Sequence, residues 1–136
     1  MKLALLTLLV AGLLLIVTGC GGNDEDDGQS VEGTEWTLVS GVEAPPNAVP
    51  TVTFDGELVT GFAGCNDYRG EYEVEGDSME IVGIAVTAMG CPGPEMQTEE
   101  AYFSVFDQVD GWSIADGELV LSSDGDEVLR YAVVAD

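Results

Sequence analysis

The 136-residue sequence contains no histidine. That removes Ser-His and Cys-His catalytic arrangements and the His-rich zinc sites. Lysine is nearly as scarce. Lys2 is the only one, and it stands before a long apolar run. Schiff-base and Ser-Lys chemistry therefore have no lysine in the body of the chain. Phosphate cradles of the Gly-x-x-x-x-Gly-Lys and Gly-x-Gly-x-x-Gly types are also missing. Basic charge as a whole is lacking. Arg69 and Arg130 face 26 acidic residues, and the formal net charge is −23. Nucleic acid and anionic membrane surfaces both demand a basic face, so neither is an expected partner. The acids read first as a solvated coat, suited to solubility, a saline habitat or a cationic partner. Pairs such as Glu73 and Glu75 lie on an alternating strand and read as its wet face. No catalytic residue, metal site or cofactor is expected, and the chain is read as a non-enzyme. A divalent-cation-binding acidic surface is the alternative, followed by a carboxylate-only hydrolase or an inhibitor.

What is present begins with an apolar leader. Its run from Leu3 to Val17 is about 15 residues, which suits a signal-peptide core and falls short of the roughly 20 that span a bilayer. Val17-Thr18-Gly19-Cys20 follows and resembles the lipobox of bacterial lipoproteins. The resemblance implies cleavage before Cys20 and a diacylglycerol thioether on its sulfur. Residues 1–19 are thus read as a signal peptide and 20–32 as a lipidated acidic tether. From Gly21 to Ser30 the tether has no large apolar side chain to bury, so disorder is expected. Asp24, Asp26 and Gly28 hint at a calcium loop but lack the distal Glu of an EF-hand. The expected location is the cell membrane or envelope, with the domain on the extracytoplasmic side. The membrane is then a partner through Cys20 alone, and an envelope protein or peptide is the other candidate partner.

Residues 33–136 read as one domain of common size. Strand signals dominate. Glu35 to Ser40, Thr51 to Phe54, Glu57 to Thr60, Glu71 to Glu75, Met79 to Val82, Trp112 to Ile114, Glu118 to Leu121 and Val128 to Val134 are short and β-prone. Asp55-Gly56, Gly76-Asp77, Asp116-Gly117 and Asp124-Gly125 supply turns. The expected fold is mainly β (α+β), a compact barrel-like antiparallel sheet of about eight short strands; a sandwich would share this pattern. One segment has a different period. Tyr102, Phe103, Phe106 and Val109 recur at helical spacing between Pro94 and Val109, with Glu95, Glu99 and Glu100 in the early turns. This predicts one amphipathic helix covering an open side of the sheet, its aromatic stripe serving as core.

Several short motifs in fixed order carry a family resemblance. They are Trp36-x-Leu38, Gly61, Gly64-Cys65-Asn66-x-Tyr68-x-Gly70-x-Tyr72, Thr87-x-Met89-x-Cys91, Phe103 in the helix, Leu119-x-Leu121 and Leu129-x-Tyr131. Together they resemble the META domain, also called the HslJ-like domain, from about Thr34 to Val133. The resemblance implies a β-rich domain with one helix, common in bacterial envelope lipoproteins and exported proteins. Links to heat-shock induction, novobiocin resistance, motility or secretion come with the family, and none defines a reaction. The acidic surface departs from any function that rests on basic residues. Trp36, Gly64, Asn66, Tyr68, Thr87 and Met89 are the motif residues to locate. Cys65 and Cys91 are expected to form a disulfide, because an exported protein meets an oxidising compartment. Closing that loop contributes about 3.5 kcal/mol on the chain-entropy account. Unpaired buried thiols or a redox pair are the alternatives, the latter without a Cys-x-x-Cys or a nearby cation to lower a thiol pKa.

Overall fold

The structure is a computed structural model that describes residues 30–134. The expected signal peptide, Cys20, the hinted calcium loop and tether residues up to 29 lie outside the described residues. Eight strands run in order: β1 Glu35–Ser40, β2 Thr51–Asp55, β3 Leu58–Phe62, β4 Asp67–Glu75, β5 Ser78–Val86, β6 Gly111–Ala115, β7 Glu118–Ser123 and β8 Asp126–Val133. Each pairs antiparallel with its sequence neighbours, and β8 returns to β1, so the sheet closes into a barrel. Between β5 and β6 lies the one helix among the described residues, α1, Gly93–Phe106. Among the described residues, a mainly β barrel with a single helix is therefore the observed fold.

Turn chemistry explains most of the up-and-down path. At Asp116-Gly117 and Asp124-Gly125 both residues have positive φ, the geometry whose twist matches flanking antiparallel strands. The first hairpin differs from the sequence expectation by one residue. Asp55 pairs with Leu58, so the turn is Gly56-Glu57 and Asp55 still belongs to β2. Only Gly56 there has positive φ, so the aspartate is free to end the strand.

Period-two burial builds the core. Val52, Phe54, Val59, Leu119, Leu121, Leu129 and Tyr131 are fully buried. On β4, Tyr68 and Tyr72 point inward while Asp67, Arg69, Glu71 and Glu73 face solvent. The alternation stops short at the strand ends, where Val74 and Val133 are exposed despite their apolar parity.

The ring is not equally tight all round. β5 pairs with β4 along its length, but with β6 only at Ser78↔Gly111. Helix α1 belongs to the β5–β6 connection and packs on β4 and β8. Pro94 stands in its first turn, where a missing N–H costs nothing. Tyr102 and Phe106 enter the core, Phe103 packs against it, and Val109 follows just past the helix end. Tyr102 and Phe106 stack at 5.2 Å, and Tyr68 meets Phe106 edge-on at 5.4 Å. Among the described residues no helix is long and apolar enough to cross a membrane.

At the other end of the sequence, Val31 is buried and the Trp36 indole N–H donates to its carbonyl at 3.3 Å. Glu32 bridges to Phe54 in parallel fashion and accepts the Tyr72 hydroxyl at 2.9 Å. The last residues of the segment read as tether are thus docked on the barrel wall.

Candidate functional site

Gly64-Cys65-Asn66 forms the turn between β3 and β4, and Thr87 to Cys91 leads from β5 toward α1. The Cys65–Cys91 disulfide joins them, with Cα atoms 5.9 Å apart. Asn66, only 3% exposed, does the finer work. Its Nδ2 donates to Glu99 Oε1 at 2.9 Å and to the Met89 carbonyl at 3.3 Å. Its Oδ1 accepts from the Met89 N–H at 2.6 Å and from the Thr87 hydroxyl at 3.1 Å. A carboxamide offers two donors and two lone pairs, so every site is filled. The Asn66 backbone N–H also donates to Glu99 Oε2 at 2.6 Å. Glu99 is buried on α1 and receives both donors, which solvates its carboxylate in place of water.

The neighbours follow the same logic. Thr87 and Asp67 exchange bonds: the Thr87 N–H donates to the Asp67 carbonyl at 3.0 Å, and the Asp67 N–H to Thr87 Oγ1 at 3.2 Å. Gly64 has φ +117, and a Cβ there would lie 2.9 Å from Thr98 on α1. Gly61 leaves room for the Tyr68 ring, whose hydroxyl would meet a Cβ at 2.6 Å.

Beneath this cluster three phenols form a chain. Tyr68 must donate to the Thr51 carbonyl at 2.8 Å, since a carbonyl cannot donate. Its oxygen then accepts from Tyr102 at 2.8 Å, and Tyr102 accepts from Tyr131 at 2.9 Å. The chain ties β4, α1, β8 and the start of β2 together. Burial pushes all three hydroxyl pKa values far up, and the neighbouring hydroxyls of Tyr68 and Tyr131 add to the rise at Tyr102. Tyr72 is pushed up to about 12, by burial first and then by its bond to Glu32.

Of the motif residues, Cys65, Cys91, Gly64, Asn66, Thr87 and Met89 meet in one place, with Tyr68 directly below. Trp36 stands apart at the Val31 contact. Met89 is the exception in kind. Both its backbone groups bind Asn66, while its side chain is 60% exposed. The fold uses this residue through its main chain and leaves its thioether at the surface. Glu99 was legible only as an acid in an early helical turn; its bond to Asn66 spans 33 residues and leaves no local pattern.

The other surfaces offer little chemistry. A 540 Å³ groove separates residues 41–45 from α1, and Glu43 is its one ionisable lining residue. A 330 Å³ cavity near the docked segment is lined by Val31, Glu32, Tyr72 and Trp112, among others. No group of three or more metal-ligating side chains is assembled among the described residues. Arg130 pairs with Glu118 at 2.9 Å and Glu127 at 2.7 Å. Its guanidinium holds Glu127 below the usual carboxylate range. Arg69 makes no ion pair among the described residues.

The profile of the META domain family matches residues 29–135. Two solved structures are similar. An NMR structure of a protein from Burkholderia xenovorans is 23% identical, covers 78% of this chain and 85% of its own, and superposes with a TM-score of 0.65. A second NMR structure is 19% identical, with coverages of 76% and 91% and a TM-score of 0.54. At these identities the likeness is one of fold. No functionally curated protein matches the chain.

Proposed function

The chain belongs to the META domain family, and from that premise we propose a cell-envelope lipoprotein whose domain binds an envelope protein or peptide and catalyses no reaction. Cys20 carries the lipid, the acidic segment after it is the tether, and the barrel is the binding module on the extracytoplasmic side. One observation carries the reading. Asn66, Thr87 and the Cys65–Cys91 disulfide hold the Thr87–Cys91 loop, while the large apolar side chain of Met89 is left 60% exposed. A preorganised apolar anchor lowers the ordering cost of association. The absence of histidine, and of lysine beyond Lys2, supports a binding role over catalysis.

Two experiments test the parts separately. Wild-type protein should partition into the detergent phase, and Cys20→Ala should be released from membranes; retention of that variant on membranes would refute the lipid anchor. Cross-linking of the tethered form in intact cells should capture a defined envelope partner. Turnover of a substrate by the purified chain, abolished by an active-site substitution, would refute the non-enzymatic reading.

A further inference from the structure

The β5 strand has an open edge. It meets β6 only at Ser78↔Gly111, where the Met79 N–H donates to the Asp110 carbonyl and the Trp112 N–H to the Asp77 carbonyl. Beyond that point, among the described residues, β5 pairs with β4 alone. Burial agrees: from Glu80 to Val86 only Ile81 and Ile84 are partly covered, and every other residue is exposed. Strand parity says which groups are free. Met79 turns its N–H toward the β6 side, so Ile81 does too. At the far end Thr87 bonds to β4 through Asp67, which turns the backbone of Val86 outward. Gly83, at φ +66, lies where the β4 register shifts.

Natural proteins guard such edges with charge, proline or cover. This one carries little: Glu80 is the one charge on β5, and residues 81–94 hold no charged side chain, in a chain with 26 acids. Val82, Val86 and Met89 are exposed beside it, at 45, 40 and 60%. Charge appears one step away, on the outer face. Glu73 stands directly opposite Glu80 and Glu71 opposite Val82. These three acids and Glu57 line one 250 Å³ hollow with Val82 and Tyr72. Like charges facing each other across a ladder are destabilising, and no arginine relieves this pair.

We propose that this edge receives an extended, basic segment of a partner protein as an added β-strand. The partner supplies backbone groups to Ile81 and Val86, apolar side chains to Val82, Val86 and Met89, and Lys or Arg side chains to Glu80 and its neighbours. Strand addition draws affinity from the main chain and specificity from alternate side chains. Charge chooses the occupant. A second copy would bring another chain of formal charge −23 against the same acidic face, whereas a cationic strand neutralises it. The proposal rests on the binding-module reading above and supplies its partner class.

The test uses the full chain in detergent and three probe peptides of ten residues. One alternates Lys with Val. The second is the same peptide N-methylated at alternate residues, which keeps the charge and removes edge donors. The third alternates Glu with Val. The Lys-Val peptide should bind, weaken as salt is raised, and shift the backbone amide resonances of Ile81 and Val86. N-methylation and Val86→Pro should each weaken it by about tenfold or more, the loss expected for a few main-chain bonds. Met89→Ser should weaken it without changing the thermal midpoint, which keeps the test valid if Val86→Pro disturbs folding. Equal binding of the methylated peptide would overturn the proposal, because charge alone would then explain it. Binding of the Glu-Val peptide, or self-association through β5, would also overturn it. None of these readouts depends on Cys20, so loss of the lipid-anchor reading would leave them unaffected.

Discussion

Asn66 and Met89 are two motif residues joined by hydrogen bonds, yet they should respond oppositely to substitution. Asn66→Ala removes four side-chain bonds and takes one donor from the buried Glu99 carboxylate. The expected loss is about 2–4 kcal/mol, measured by urea unfolding. Met89→Ser leaves both backbone bonds to Asn66 intact and should change stability by less than about 0.5 kcal/mol. The tyrosines give a pH prediction. All four have hydroxyl pKa values raised above the free value. The unfolded chain releases these protons near pH 10 and the folded chain does not. Their contribution is therefore complete below pH 10 and is lost as pH rises through the folded values. Absorbance at 295 nm should stay flat through pH 10, then rise together with the loss of β-sheet circular dichroism. A separate tyrosinate rise at pH 10 in the folded protein would contradict the phenol chain.

The strands were legible because their period-two pattern is local, and so were three of the four two-residue turns. Asp55-Gly56 misled by one residue because either position can begin such a turn, and only the Asp55↔Leu58 pairing decides. The helix was legible from its aromatic stripe. Its packing on Tyr68 of β4, Tyr131 of β8 and Asn66 before β4 was visible only as a helix covering an open side. Phe106 is fully buried there and touches both Tyr68 and Tyr102. Phe106→Ala should cost about 3–5 kcal/mol and weaken amide protection first in α1 and in β4 around Tyr68. Reducing the disulfide should cost up to about 3.5 kcal/mol, read as a fall in the thermal midpoint. Glu99 and the open edge left little trace in the sequence, since both depend on contacts between distant segments. The uncharged run at 81–94 was the one available signal for the edge.

At the scale of the molecule, charge and topology point the same way. The chain is strongly acidic, and among the described residues β5 from Ile81 to Val86 is uncharged and largely exposed, next to the loop held by Asn66 and the disulfide. On the proposed strand addition, a seam held by the single register pair Ser78↔Gly111 leaves the rest of that β5 edge for a partner strand. If the proposed lipidated tether holds, it would place this edge near other envelope components, where a short linker raises local concentration. The most direct test is a photo-cross-linking side chain placed at position 89 in the full chain, in intact cells, with Gln108 on the exposed face of the helix end as the control site. Position 89 should give a discrete adduct with a basic segment of an envelope protein, lost in Val86→Pro and absent from position 108. The same adduct at both positions, or one at position 89 that survives Val86→Pro, would contradict the account.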